Sequence, residues 1–218
     1  MPSGTYIEGI WEEDNCATWN SWLYQYDQVL AGLGNEKLVN LDKWFSNELP
    51  SSILERNPPC IHYDDLQGIA AWKMHRGVWR EYNRRLVAGN SPEQVEEASR
   101  EAFAAVPDPR KPVALLSSLA GVGPATASAA LAAYAPYYYP FFDEVVAALI
   151  PGLGPVAFTL PYYLKYAAAI RERTDRLNAT CSSKAWTAHE VAQALWSLAT
   201  SRSGTSSKSP GEADSSQG

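Results

Sequence analysis

Two adjacent carboxylates, Asp143 and Glu144, end a stretch in which prolines alternate with Tyr137, Tyr138, Tyr139, Phe141 and Phe142. Held close together, such a pair raises one another's pKa and suits acid/base work. Asp143 is also placed to cap the helix that follows it. Upstream, Gly121 and Gly123 bracket Val122, and Pro124 follows at once. Two glycines permit a tight turn, and proline is favoured at the first position of a helix. Backbone N–H groups of Gly121, Val122, Gly123, Ala125 and Thr126, at the positive end of the second helix, form an anion site that suits one nucleic-acid phosphate. Cationic side chains come from an earlier segment, where Lys73, Arg76, Arg80 and Arg84 recur at spacings of three and four. If Trp72 to Leu86 is helical these four share a face, unless Gly77 splits the helix.

Leu119-Ala-Gly-Val-Gly-Pro-Ala-Thr-Ala-Ser128, followed by a proline, a short apolar pair and an aspartate, resembles the helix-hairpin-helix, Gly/Pro-rich loop and aspartate signature of the DNA glycosylase superfamily that includes endonuclease III and the adenine mismatch glycosylase. In endonuclease III-like members a lysine stands eighteen positions before the catalytic aspartate; here that interval separates Ala125 from Asp143. The resemblance is carried by Leu115 to Val146, and together with the Trp-Lys-Met-His-Arg-Gly segment at 72–77 it extends to an uncharacterised eukaryotic group. It implies that Asp143 stabilises the cationic sugar formed when a base leaves, and orients or deprotonates the attacking water. It also implies a monofunctional enzyme, because alanine at 125 offers no amine for a Schiff base; Lys73 and Lys165 are the candidate displaced substitutes, although a phosphate contact for Lys73 and a solvated helix position for Lys165 are the simpler expectations. An extruded base stacks on aromatic or apolar faces. Tyr138, Tyr139, Phe142 and Glu144 are therefore the expected lining, although aromatics in such a loop also pack helices beneath. A monovalent cation on hairpin carbonyls near Leu119 and Gly121 is a family feature. Glu144 departs from the family pattern, which usually has a neutral residue there.

At 218 residues and 46% hydrophobic content the chain suits one domain or two small subdomains around a shared core. Its net charge of −6 argues against a broadly basic nucleic-acid coat, so any DNA contact is local. No run approaches a membrane span and the N-terminus lacks signal-peptide features, from which an intracellular protein is expected, nuclear if it acts on DNA. Cys16, Cys60 and Cys181 are odd in number and far apart, so free buried thiols are expected rather than a disulfide framework, and a four-cysteine iron–sulfur loop is not. His62, His75 and His189 stand without metal-ligand spacing, and no metal site is expected.

Apolar spacing predicts helices from Asn15 or Thr18 to about Leu33, over Leu38–Leu49, from Asp64 as cap through the basic segment, and from Ser91 to about Val106. The hairpin spans 112–135, with helices over Pro112–Leu119 and Thr126–Ala135. A short helix from Phe142 or Asp143 to Leu149, a long one over Leu160–Leu177, and a last one opened by a Thr187–Glu190 capping box complete the chain. Trp72 and Trp79 are expected in the core. Residues 1–13 read as a flexible lead-in, 14–200 as the folded domain and 201–218 as a disordered tail. The sequence thus predicts an all-α protein of about ten helices, two subdomains flanking a cleft, monomeric, with DNA as partner.

Overall fold

A computed structural model describes residues 9–182 and 184–205, and among these every regular element is helical. The helices are α1 (Cys16–Tyr24), α2 (Tyr26–Gly32), α3 (Glu36–Lys43), α4 (Leu49–Glu55), α5 (Tyr63–Arg76), α6 (Glu81–Ala88), α7 (Pro92–Ala104), α8 (Lys111–Leu116), α9 (Pro124–Tyr134), α10 (Glu144–Ala147), α11 (Leu160–Thr180) and α12 (Ala188–Thr205). A π-helical turn, Trp44–Glu48, joins α3 to α4. None is long and apolar enough to cross a membrane.

Local chemistry sets most boundaries. Ser91 caps α7 by accepting from Gln94 N, and Gln94 reaches back to Ser91 N. Thr187 and Glu190 repeat that exchange at α12. The expected first helix is two, because the chain breaks between Tyr24 and Tyr26; Asn15 caps the first of them. At α5 the cap is His62, two positions before the expected Asp64, and Asp65 closes the box by accepting from His62 N at 2.8 Å.

The middle of the fold is α9. Ala125 to Ala133 are all buried, and a helix apolar on every side must be surrounded. Alanine leaves room for α8, α5, α4 and α11 to approach it closely. The two ends of the chain form the other half of the packing, with α12 against α1, α2, α10 and α11. Trp19, Trp72, Trp186, Tyr163 and Phe45 fill the core with essentially no exposure.

Three expectations fail at the ends of the chain. Residues 9–13 pack rather than hang loose: Ile10 is buried, Trp19 Nε1 donates to Glu13 O at 2.7 Å, and Arg173 binds Asp14 at 2.6 Å and the Glu13 carbonyl. Helix α12 continues to Thr205, past the expected start of the tail; residues 1–8 and 206–218 lie outside the described residues. Cys16 and Cys181 form a disulfide across 165 positions, leaving Cys60 as the free, buried thiol. Sequence distance misled here, because α1 and the end of α11 are neighbours only in three dimensions.

A crosslink closing so long a loop restricts the unfolded chain, and native disulfides typically contribute about 2–4 kcal/mol. Replacing Cys16 and Cys181 by serine is expected to lower urea stability by that amount. The single free thiol in a non-reducing assay of the wild type checks the pairing.

Candidate functional site: a cavity between the 121–126 turn and Asp143

Helices α8 and α9 meet at a turn in which Gly121 has φ +73°, a conformation that favours glycine. A Cβ there would lie 2.8 Å from Val87 N, so α6 sits directly against the turn. Two asparagines complete the contact. Asn83 Nδ2 donates to Gly121 O at 3.1 Å, while Asn90 donates to Ala120 O at 3.0 Å and accepts from Ala120 N at 2.8 Å. Leu119 O in turn accepts from Val122 N at 3.1 Å. Val122 is buried and its amide is used in that bond, so it is withdrawn from the expected anion-binding set. Gly123 is exposed with open space at its Cβ position, and the first-turn amides of Ala125 and Thr126 have no intrahelical acceptor.

The turn forms one wall of a cavity of about 420 Å³. Gly121, Gly123, Ala125 and Thr126 line it together with Asp143, Glu144, Lys73, Arg76, Arg80 and Asn83. That volume is in the range of small-molecule sites. The apolar lining includes Phe141, Phe142, Val78 and Phe158, of which Val78 and Phe158 are more than half exposed.

Asp143 reaches the cavity because its loop is anchored from below. Ser128 Oγ accepts from Phe142 N at 2.9 Å, Tyr166 Oη donates to Phe141 O at 2.7 Å, and His189 Nδ1 faces Phe141 N at 3.5 Å. Burial pushes the Tyr166 hydroxyl pKa well up, so it remains a donor. Asp143 then caps α10, its Oδ1 accepting from Val145 N at 2.9 Å. Its Oδ2 is held by Arg76 Nε, also at 2.9 Å.

That ion pair is buried, with side chains 5% and 9% exposed. Arg76 continues it inward: Nη1 donates to Tyr26 Oη at 2.7 Å, and Tyr26 donates to Asp42 Oδ1 at 2.8 Å, which Trp72 Nε1 also binds at 2.8 Å. The guanidinium lies 4.0 Å from the Trp196 ring centroid. Burial pulls the Arg76 pKa down, but Tyr26, Asp143 and Asp42 outweigh it and the net direction is up. Burial raises the Tyr26 hydroxyl in turn.

The expected cationic face is therefore divided. Helix α5 ends at Arg76, and residues 77–80, beginning with Gly77, separate it from α6. Arg76 points into the protein, which removes it from the phosphate-contact set. Arg80 is exposed at the cavity wall. Arg84 lies off that wall, paired with Glu81 at 2.6 Å. Lys73 lines the cavity with its pKa lowered, by burial first and by Arg80 second, against an opposing effect of Glu144; no carboxylate among the described residues lies within 4.0 Å of it.

The aromatic expectation also changes. Phe142 and Glu144 line the cavity, but Tyr139 is buried with its hydroxyl donating to Asp108 O at 2.7 Å, and Tyr138 lies exposed away from the lining. Trp79 is 44% exposed rather than core, unlike Trp72. Phe158 and Val78 were not expected; the breaker-rich 151–155 stretch preceding Phe158 carried no signal beyond its apolar character. His62 does not stand alone, since Cys60 and Glu96 approach it.

The chain matches no protein-family model, no curated protein and no solved structure.

Removing one partner of a buried pair strands the other, at about 3–5 kcal/mol. Arg76→Leu is expected to destabilise by that much, and Arg76→Leu combined with Asp143→Leu by clearly less. Chemical denaturation of the two singles and the double measures the coupling.

Burial, with Arg76 nearby, lowers the His189 pKa to about 3. The unfolded chain, with an ordinary value near 6.5, then binds a proton that the folded chain refuses. The histidine therefore costs nothing above pH 6.5, and its penalty grows as pH falls toward 3. His189→Asn is expected to flatten that part of the pH–stability curve, measured by urea titrations at stepped pH.

Proposed function

We propose that this chain is a DNA-binding protein of the helix-hairpin-helix glycosylase type, which takes an extruded base into the cavity and hydrolyses its N-glycosidic bond. The observation that carries this reading is the convergence, in one cavity, of the glycine turn, the cations Lys73 and Arg80, and the carboxylates Asp143 and Glu144. A phosphate at Gly123 would meet free amides at a helix start. Exposed Val78 and Phe158 at the mouth supply apolar surface against which a displaced base can rest.

In this reading the bond between the sugar's anomeric carbon and the base nitrogen breaks, with the electron pair leaving on the base. Water adds to the carbon and its proton passes to an acceptor. Asp143 has one lone pair on each oxygen committed, to Arg76 and to Val145 N, and retains the others to orient that water. Glu144 is exposed in the cavity and pairs with no cation within 4.0 Å among the described residues, which suits it to accept the proton. Ala125, buried in the cavity wall, offers no amine, so the product is an abasic site in an intact strand. A monomer acting in base excision repair fits this chemistry, while the Cys16–Cys181 disulfide weighs against a nuclear location, where thiols are kept reduced.

The Arg76–Asp143 pair favours a second reading, in which the same surface binds nucleic acid without cutting it. A neutralised carboxylate stabilises a developing sugar cation less than a free one does.

The two readings separate experimentally. Duplex oligonucleotides carrying varied base lesions are incubated with the protein, then treated with hot alkali to break strands at abasic sites. The first reading expects breaks with wild type and none with Asp143→Asn, while retention on DNA is unchanged. Retention without breaks across the panel supports the second. Breaks before alkali, lost in Lys73→Gln, would assign Lys73 the displaced amine's role.

Gly123→Asp has open space for its side chain and an acceptable helix cap, so the fold is retained while a negative charge enters the phosphate position. It is expected to abolish retention on DNA. Arg80→Gln is expected to reduce the slope of log affinity against log salt by about 1. Unchanged retention in both variants refutes the hairpin surface.

A further inference from the structure

The segment joining α4 to α5 runs extended into the His62 cap, and alternate side chains of an extended chain point to the same side. Ile61 goes into the core with no exposure, which turns Cys60 and His62 together toward α7. Ser99 of α7 fixes this register, its hydroxyl accepting from Ile61 N at 3.0 Å. Arg56 holds the same segment through Cys60 O at 2.6 Å. Glu96 is three residues before Ser99 and so on the same face of the helix. As a result Cys60 Sγ, a ring nitrogen of His62 and a Glu96 carboxylate oxygen all lie within 4.8 Å of one another.

These groups do not satisfy each other. His62 Nε2 and Glu96 Oε1 are 3.9 Å apart, beyond a hydrogen bond. The other Glu96 oxygen is taken by Arg100 at 2.5 Å, which leaves Oε1 directed at the thiol and the imidazole. The side chains of His62 and Glu96 are 52% and 31% exposed, so the cluster opens to solvent on one side while its thiol is buried.

We propose that Cys60, His62 and Glu96 bind one divalent cation of the zinc type, with water as the fourth ligand. A thiolate with an imidazole and a carboxylate suits a borderline-soft ion in tetrahedral geometry and does not suit magnesium or calcium, which take oxygen donors. Arg100 orients the carboxylate from outside the ligand shell. Binding converts the Cys60 thiol to thiolate and releases its proton to solvent. The imidazole also faces the Asp65 amide in the capping box. Ligation through Nε2 moves the ring proton to the other nitrogen and ends that contact, so ion and cap compete for one ring. None of the three ligands lines the cavity of Asp143, and the site stands apart from the reading proposed for that cavity.

The test uses the full chain, stripped with chelator under conditions that keep the Cys16–Cys181 disulfide oxidised, and titrated with cobalt(II) and then zinc(II). One equivalent of cobalt is expected to produce a thiolate-to-metal absorption band, erased by one equivalent of zinc. Cys60→Ser should lose the band. Glu96→Gln, on a partly exposed helix face, should keep the fold and weaken zinc binding by at least about tenfold. As a check independent of the Cys60 variant's folding, zinc should slow iodoacetamide labelling of Cys60 in the wild type, and much less in Glu96→Gln. Absence of a band, a band that survives Cys60→Ser, or labelling indifferent to zinc overturns the proposal.

Discussion

A buried guanidinium must find its counter-charges within the protein, and Arg76 finds them at both ends of a short chain of polar groups. Asp143 lies on the cavity side, while Tyr26 and Asp42 lie toward the core. Four aromatic rings, those of Tyr26, Trp72, Phe141 and Trp196, enclose the cation. Because these residues belong to α2, α3, α5, α12 and the loop before α10, one charge ties the chain's two ends to its middle. The arrangement is demanding, since each member depends on the next for its hydrogen bond.

The same constraint decides what the cavity can present. Asp143 is fixed by three independent requirements: the cap it makes for α10, the pair with Arg76, and the anchoring of the preceding backbone by Ser128 and Tyr166. Glu144 has none of these and stands free at the first position of α10. Two neighbouring carboxylates thus have different environments, which is how a site separates the tasks of identical groups. Asn83 of α6 and Asn90, just past its end, brace the glycine turn, so the wall bearing the open amides is supported by side chains rather than by turn geometry alone.

Much of this was legible before any coordinates. Ser91-Pro92 and Thr187 with Glu190 mark helix starts by direct hydrogen-bond chemistry, and the glycine pair at 121 and 123 marks the turn that joins α8 to α9. Asp143 as a cap followed from its type and its place after a proline-aromatic stretch. What could not be read is direction. Helical spacing groups Lys73, Arg76 and Arg80, yet Gly77 ends α5 and Arg76 turns inward, because a carboxylate sixty-seven positions away waits there. Tyr139 and Phe142 look alike in sequence; the bond from Tyr139 to Asp108 O sends one into the packing, while the other reaches the cavity. The Cys16–Cys181 link and the Cys60, His62 and Glu96 cluster both depend on segments that meet only after folding.

That link has a further consequence for how the molecule responds to damage. Every residue that lines the cavity, from Lys73 to Phe158, lies between Cys16 and Cys181 in the chain. A single backbone cut anywhere in that interval leaves both pieces covalently joined, so a nicked molecule keeps its mass and both walls of its groove until a reductant separates the halves.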